Sequence, residues 1–319
     1  MSKPALDVLL ARTRGFCAGV ERAIDAVGHT LDRSGGSPVY VRHAIVHNQR
    51  VVDGLAARGA RFVEDLRDVP KGGTVVFSAH GVPRQVEEEA RARRLRVVDA
   101  TCPLVRRVHH EAARQTAQGR TLIVIGHPEH VEVMGIVGRC DGPVVVVADA
   151  AEAERLEPEQ ASNLAYVVQT TLSVDDARRI IDVLTRRFPT ITGPDIRTIC
   201  YATQNRQNAV ALLSRRVRRV IVCGDRASSN SNRLRELAQA ANCQALLIGD
   251  AAELSRGFLE GEQAIGLTAG ASVPESIVQE TIARIGLWYH VTLREIGEQE
   301  RSPRLHPVDF AGLDDPAPA

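Results

Sequence analysis

Short apolar runs alternate along this chain with stretches in which apolar residues recur every three or four positions. Runs at Ala5–Ala11, Thr74–Phe77, Thr121–Ile125, Val144–Val147 and Leu164–Val168, and at residues 39–41, 220–223, 245–248 and 264–267, predict buried strands. Residues 86–94, 174–188 and 232–241 predict amphipathic helices between several of them. Regular strand–helix alternation calls for parallel sheets, because a chain returning to start the next parallel strand needs a crossover, usually a helix. From Trp288 the alternation stops, so 288–319 is expected to be a C-terminal tail, frayed over the Pro-rich stretch 314–319.

Three strand-to-helix junctions carry a cysteine. Arg14-Gly15-Phe16-Cys17-Ala18-Gly19-Val20 follows the first apolar run, Asp99-Ala100-Thr101-Cys102-Pro103 follows a second, and Thr198-Ile199-Cys200-Tyr201-Ala202-Thr203 opens a third helical stretch. Unpaired amides and the positive end of the helix dipole favour a thiolate there, the form that serves as nucleophile or metal ligand. The near-equal spacing predicts three α/β units with small parallel sheets around a pseudo-threefold axis. They are 1–101 with Cys17, 102–198 with Cys102 and 199–287 with Cys200, followed by the tail. Cys223 reads as core, and Cys140 and Cys243 have no helix start after them.

Open parallel sheets bind ligands beyond the carboxyl ends of their strands. Here those positions hold His43, His47 and Asn48; Ser78 and His80; His127, His130 and Glu132; Gln169, Thr170 and Thr171; Ser228-Ser229-Asn230-Ser231-Asn232; and Thr268 to Ser272. The serine-rich stretch is either a helix N-cap in a solvated loop or an anion site with hydroxyl, amide and backbone donors. A lone His47 or His80 more often plays a structural part. Their common placement after strands, on the side of the cysteines, favours a shared site.

A net charge of +1 argues against a large nucleic-acid footprint. No apolar run is long enough for a transmembrane span and the amino terminus lacks signal-peptide character, so a cytosolic protein is expected. In a reducing compartment its six cysteines are thiols or metal ligands rather than disulfides. Three separate cysteines without a Cys-x-x-Cys pair speak against zinc ribbons and thioredoxin-type sites. A cysteine protease needs only one nucleophile. A cubane iron–sulfur cluster fits better, with three thiolates holding three irons and the fourth iron open as a Lewis acid.

Read together, Gly15-Phe16-Cys17-Ala18-Gly19-Val20, Val46-His47-Asn48, Phe77-Ser78-Ala79-His80-Gly81-Val82, Asp99-Ala100-Thr101-Cys102-Pro103, Gln169-Thr170-Thr171-Leu172-Ser173-Val174, Cys200-Tyr201-Ala202-Thr203-Gln204-Asn205-Arg206-Gln207, Ser228-Ser229-Asn230-Ser231-Asn232-Arg233 and Thr268-Ala269-Gly270-Ala271-Ser272 resemble the hydroxymethylbutenyl diphosphate reductases of the methylerythritol phosphate isoprenoid pathway. The resemblance covers residues 9–287. It implies a trefoil-like arrangement of three α/β units around a [4Fe-4S] cluster with one iron lacking a protein thiolate. It also implies reductive dehydroxylation of an allylic diphosphate to isopentenyl and dimethylallyl diphosphates, the last step of that pathway. Cys17, Cys102 and Cys200 are then the cluster ligands. His47, His80, Ser228, Ser229, Asn230 and Ser272 bind the diphosphate, and His130 contributes to the same pocket. Glu132 is the proton donor, and Thr170 positions the hydroxyl and that acid.

With no Gly-x-Gly-x-x-Gly after a strand and no P-loop, electrons are expected from a separate ferredoxin or flavodoxin. No nucleic acid or membrane partner is expected, and the protein is expected to be a monomer or homodimer. One segment departs from the family pattern. His-Pro-Glu-Val-Glu-Gly-Thr is replaced by His130-Val131-Glu132-Val133-Met134-Gly135-Ile136. That change motivates one rival, a reductase for another allylic diphosphate; a rival of a different class is a noncatalytic iron–sulfur sensor or binding protein. Retention of Glu132 and Thr170 favours an enzyme, since a sensor needs neither.

Overall fold

The computed structural model describes residues 3–159, 161–195, 199–300, 305–310 and 313. In chain order its strands are β1 (Ala5–Ala11), β2 (Val39–Arg42), β3 (Ala60–Val63), β4 (Thr74–Phe77), β5 (Arg96–Asp99), β6 (Thr121–Ile125), β7 (Val144–Val147), β8 (Leu164–Val168), β9 (Arg219–Cys223), β10 (Gln244–Ile248), β11 (Ala264–Ala269) and β12 (His290–Ile296). The helices are α1 (Ala18–Arg33), α2 (Gln49–Ala57), α3 (Arg84–Ala92), α4 (Pro103–Ala117), α5 (Val131–Val137), α6 (Ala150–Arg155), α7 (Val174–Arg187), α8 (Tyr201–Ser214), α9 (Ser229–Ala240) and α10 (Glu275–Trp288). All inter-strand ladders are parallel, in three small sheets ordered β10-β9-β11-β1-β12, β3-β2-β4-β5 and β7-β6-β8. The α/β class with small parallel sheets expected from the sequence is therefore present.

These elements group into two compact units. One takes the residues up to Ala18, His47–Gln49 and the chain from Tyr201 to 300; it holds the five-stranded sheet. Leu6, Val8 and Leu10 of β1 face one layer with Ile221, Ile265, Leu267 and Val278, while Leu9 packs on the other with Val210, Val220 and Val222. Central strands β9 and β11 are buried along nearly their whole length, which is why they read as unbroken apolar runs rather than alternating ones.

The second unit comprises Gly19–Val46, Arg50–Cys200 and the described residues from 305 on, with the other two sheets. One face of β3-β2-β4-β5 packs Ala23 and Val27 of α1 against Val39, Val41, Val76 and Val98; its other face packs Tyr40, Val75 and Phe77 against Ala90. Sheet β7-β6-β8 is likewise covered on both faces, by Ile180 and Leu184 of α7 and by Ala112 of α4 with Val133 and Ile136 of α5.

β1, placed by the sequence with the first unit, hydrogen-bonds to β11 and β12. The expected tail contains β12, paired with β1 from Ala5↔His290 to Ala11↔Ile296. It is a largely exposed edge carrying Thr292, Arg294 and Glu295, so no apolar run announces it. Further on, Val308 is buried with Phe310 packed beside it, the Phe310 ring standing edge-on to His29. The stretch 314–319, expected to fray, lies outside the described residues.

Candidate active site

In the five-stranded unit, functional candidates follow three strands that are neighbours in the sheet, β9, β11 and β1. Cys17 ends the turn between β1 and α1 and is half-buried. Gly15 in that turn has φ +67°, and a Cβ there would stand 3.1 Å from the Val273 carbonyl, so both conformation and space call for glycine. The Gly15 and Cys17 amides donate to the carbonyls of Ala269 and Ala271 at the end of β11. Ser272 donates its hydroxyl to the His47 carbonyl at 3.0 Å, joining two candidate residues far apart in sequence.

Ser228 is the N-cap of α9, its Oγ accepting the Ser231 amide at 3.2 Å and the Ser231 hydroxyl at 3.1 Å. The helix therefore starts three residues before the expected 232. Ser231, fully buried, fits against Gly224 after β9 and Gly270 after β11, where a Cβ would stand 2.3 and 2.1 Å from its Oγ. Asn230 is 5 % exposed, yet neither Oδ1 nor Nδ2 of its amide has a hydrogen-bond partner. Burying an unpaired amide costs on the order of 1–3 kcal/mol, so this side chain is a liability to the fold taken alone. Its neighbour Ser229 is half-buried in the first turn of α9, where helix-start amides and the dipole favour an anion.

In the second unit, His80 follows β4 and Cys102 follows the adjacent β5. The Cys102 amide donates to the Ala79 carbonyl at 3.0 Å, tying the two turns together. Asp99 shapes the cysteine turn by accepting from the Thr101 amide and hydroxyl with Oδ1 and from Arg106 with Oδ2. Arg22 of α1 donates to the Ala100 and Thr101 carbonyls just before Cys102. Cys200 is half-buried after the core residue Ile199, with α8 starting at the next residue.

Glu132 lies in the first turn of α5 and is 1 % exposed. His130 is the N-cap, its Nδ1 accepting the Glu132 amide at 3.1 Å. Thr170, after the adjacent strand β8, meets the carboxylate twice: its amide donates to Oε1 at 2.7 Å and its hydroxyl to Oε2 at 2.9 Å. Burial pushes the Glu132 pKa up to about 7, against the opposing pull of those two hydrogen bonds. The His80 and His130 rings stand edge to face, 6.0 Å between centroids. Glu129 is exposed. Of the departures from the family pattern, Ile136 is buried in the core beneath α5 and Met134 is 46 % exposed.

Two further buried residues, Gln169 and His109, support these turns, the histidine without any sequence motif marking it. Gln169, fully buried, accepts the His127 amide with Oε1 and donates to Thr171, bracing the loops after β6 and β8. His109 of α4 is 1 % exposed, and burial, with the Arg139 charge adding to it, pushes its pKa down to about 3, leaving a neutral imidazole. A Cβ on Gly81 would stand 2.5 Å from His109 Cε1, and one on Gly135 3.1 Å from Nε2. The ring thus fills the space beneath the turn that presents His80 and the helix that presents Glu132. The spacing of Val105, His109 and Ala112 on the buried face of α4 was the signal for it.

The LytB protein family model matches residues 8–286. The chain belongs to the LytB family. It is 50% identical over 286 residues to a 4-hydroxy-3-methylbut-2-enyl diphosphate reductase of Methylococcus capsulatus, covering 89% of this chain and 91% of that one. It is 54% identical over 282 residues to the reductase of Aromatoleum aromaticum, covering 88% and 89%. A solved structure of the Plasmodium falciparum E-1-hydroxy-2-methyl-but-2-enyl-4-diphosphate reductase superposes with a TM-score of 0.90 at 35% identity, over 95% of this chain and 96% of that one.

LytB membership implies an iron–sulfur reductase, and the donors present in this chain suit such a group. Cys17, Cys102 and Cys200 carry thiols outside any disulfide, half-buried, each immediately before a helix. Among the described residues no three His, Cys, Asp or Glu side chains gather to hold a single ion. An iron–sulfur cluster makes no such demand, because its thiolates can each bind a different iron. The other cysteines are occupied elsewhere: Cys223 is buried against Thr281 with its pKa pushed up to about 12, and Cys243 points at the Val217 carbonyl. Burial also raises the Cys140 pKa, and its thiol faces the Ile136 carbonyl. No helix among the described residues is long and apolar enough to cross a membrane.

Proposed function

We propose that this LytB-family chain reductively removes the hydroxyl of 4-hydroxy-3-methylbut-2-enyl diphosphate, giving isopentenyl and dimethylallyl diphosphates. The observation that carries the reading is Glu132, a buried carboxyl with a pKa of about 7 whose two oxygens are both held by Thr170. Such a group delivers a proton at neutral pH from a fixed position. A noncatalytic sensor has no use for it.

Cys17, Cys102 and Cys200 hold a [4Fe-4S] cluster with one iron free of protein thiolates. When bound, the cluster supplies the electrons and a Lewis-acid position. The reaction consumes two electrons and two protons, breaks one C–O bond, forms one C–H bond and releases water. Protonation of the departing hydroxyl is the step this chain's residues serve most directly. When Glu132 is protonated on Oε2, that proton can be donated to the Thr170 oxygen, freeing the threonine's own hydrogen to turn toward the substrate hydroxyl. Thr170 thus orients the hydroxyl and relays the proton in one motion.

The diphosphate is bound by Ser228, Ser229, Asn230 and Ser272 with His47, His80 and His130. The buried unpaired amide of Asn230 supports that assignment. Binding energy collected on the diphosphate, remote from the reacting carbon, fixes the hydroxyl for protonation. Electrons come from an external carrier, a ferredoxin or flavodoxin, and the protein works in the cytoplasm.

The test is anaerobic purification, iron and sulfide determination, and assay with a chemical reductant and the diphosphate substrate. About four irons per chain and both isomeric products are expected. A protein that holds its cluster yet converts no allylic diphosphate is the sensor instead.

A further inference from the structure

Arg206 is a fully buried arginine on α8, the helix that begins after Cys200. Its guanidinium is directed at the turn before Cys17. Nε and Nη2 donate to the Gly15 carbonyl at 3.1 and 2.7 Å, and Nη2 also reaches the Phe16 carbonyl at 3.2 Å. Nη1 donates to the Ala202 carbonyl at 2.9 Å within its own helix. The charge is met by Glu300, whose carboxylate accepts from Nη1 at 2.9 Å and Nη2 at 3.2 Å and is held by the Asn205 amide at 3.1 Å.

The Cys17 turn is therefore gripped from two sides. Its amides, those of Gly15 and Cys17, donate to the β11 end, and its carbonyls, those of Gly15 and Phe16, accept from Arg206. Backbone groups buried away from water must find partners, and these find theirs in β11 and in the guanidinium. Glu300 is delivered by the segment after β12, which runs beside residues 12–14: the Arg12 amide donates to the Ile296 carbonyl and the Thr13 hydroxyl to the Glu298 carbonyl. The stretch expected to be a tail thus supplies the counter-charge.

We infer that Arg206, neutralised by Glu300, is a positioning residue that holds the Cys17 thiolate in the geometry for cluster ligation. The inference rests on Cys17 being a cluster ligand. A lysine cannot replace the arginine here, since a single ammonium lacks the planar fork that reaches two carbonyls and a carboxylate together. The guanidinium also brings a fixed positive charge to the back of the ligand turn, and charge and hydrogen bonding around a cluster set its reduction potential.

The test compares wild type with Arg206→Lys and Glu300→Gln in the holoprotein and in protein stripped of metal. In Arg206→Lys, native-state hydrogen exchange at the Gly15 and Cys17 amides should speed up by about tenfold or more, the equivalent of one charge-assisted hydrogen bond. Exchange in β6 and β8 should be unchanged. Iron loss to a chelator should quicken by a similar factor. Glu300→Gln leaves the guanidinium uncompensated, so the cluster midpoint potential should rise, because added positive charge favours the more negative reduced state. Wild-type exchange and chelator rates in Arg206→Lys, or acceleration spread evenly over the chain, would overturn the inference. If Arg206→Lys does not fold, an unchanged midpoint and unchanged turn exchange in Glu300→Gln overturn it. Should wild type itself hold no iron, the cluster reading fails, while exchange at the Gly15 and Cys17 amides still decides whether the clamp exists.

Discussion

Thr170 contacts both carboxylate oxygens of Glu132, its amide on Oε1 at 2.7 Å and its hydroxyl on Oε2 at 2.9 Å. Both bonds stabilise the anion, so they work against the burial that raises the pKa to about 7. The balance is an acid poised at neutral pH and unable to swing away. Glu132→Gln should keep the cluster and substrate binding while turnover falls by roughly a hundredfold or more, the usual scale for removing a general acid. Glu129→Gln, at an exposed site, should be nearly silent. Thr170→Val removes a bond that favours the charged form, so the alkaline limb of the kcat–pH profile should move to higher pH. Full turnover in Glu132→Gln sinks the assignment.

The same carboxyl makes stability depend on pH. Its folded pKa of about 7 lies above the ordinary glutamate value of 4.5. The folded state therefore binds the proton more tightly than the unfolded one. That contribution is fully present below pH 4.5 and is lost as pH rises through about 7. A shift of this size is on the order of 3 kcal/mol. Relative to Glu132→Gln, wild type should lose melting temperature between those pH values and no further above them. Parallel Tm–pH curves for the two proteins would show that Glu132 does not titrate there.

Cys17→Ser, Cys102→Ser and Cys200→Ser should each weaken or abolish the cluster, measured by iron–sulfur charge-transfer absorption. Cys140→Ser, Cys223→Ser and Cys243→Ser should retain it, because burial keeps Cys223 and Cys140 protonated and Cys243 is turned to a backbone carbonyl. Equal loss in both groups contradicts the ligand set.

Asn230→Ala should weaken diphosphate binding by about 1–3 kcal/mol, the scale of a hydrogen bond to a charged group. Folding stability should hold or improve, since the amide has no partner in the protein. Calorimetry with the diphosphate and with the corresponding alcohol separates the two: equal losses for both ligands would remove Asn230 from the anion site.

Gly81 and Gly35 both have positive φ, 75° and 59°, so alanine carries a backbone penalty of about 1–2 kcal/mol at either. At Gly35 the space is open, whereas at Gly81 the methyl group meets His109. Gly81→Ala should therefore cost about 1–3 kcal/mol more, the usual penalty of overpacking, and should weaken substrate binding by moving His80. Urea unfolding of the two variants checks this; equal destabilisation would mean that the imidazole yields freely.

Much of the candidate site is legible in the sequence because its polar residues sit at strand ends, where short apolar runs give way abruptly to polar residues. Cys17, Cys102, Ser228, Ser272, His80 and Thr170 all lie in the segments just past such runs. The sequence places the α9 start three residues late because serines read equally well as loop and as cap, and only the Ser231 amide donating to Ser228 decides between them. α5 is likewise too short to show a helical period, so only the structure puts Glu132 in a helix.

Local pattern thus determined the parallel α/β class, the cysteine turns and the polar strand ends, since each depends on residues close together in the chain. Only the tertiary structure decided that β1 pairs with β11 and β12, because hydrogen-bonded partners far apart in sequence leave no mark on either segment. It alone showed that an edge strand rich in charge leads Glu300 to Arg206, and that Thr170 holds both oxygens of the buried acid. Those outcomes depend on burial and on which distant groups meet, and neither is a property of any stretch of sequence by itself.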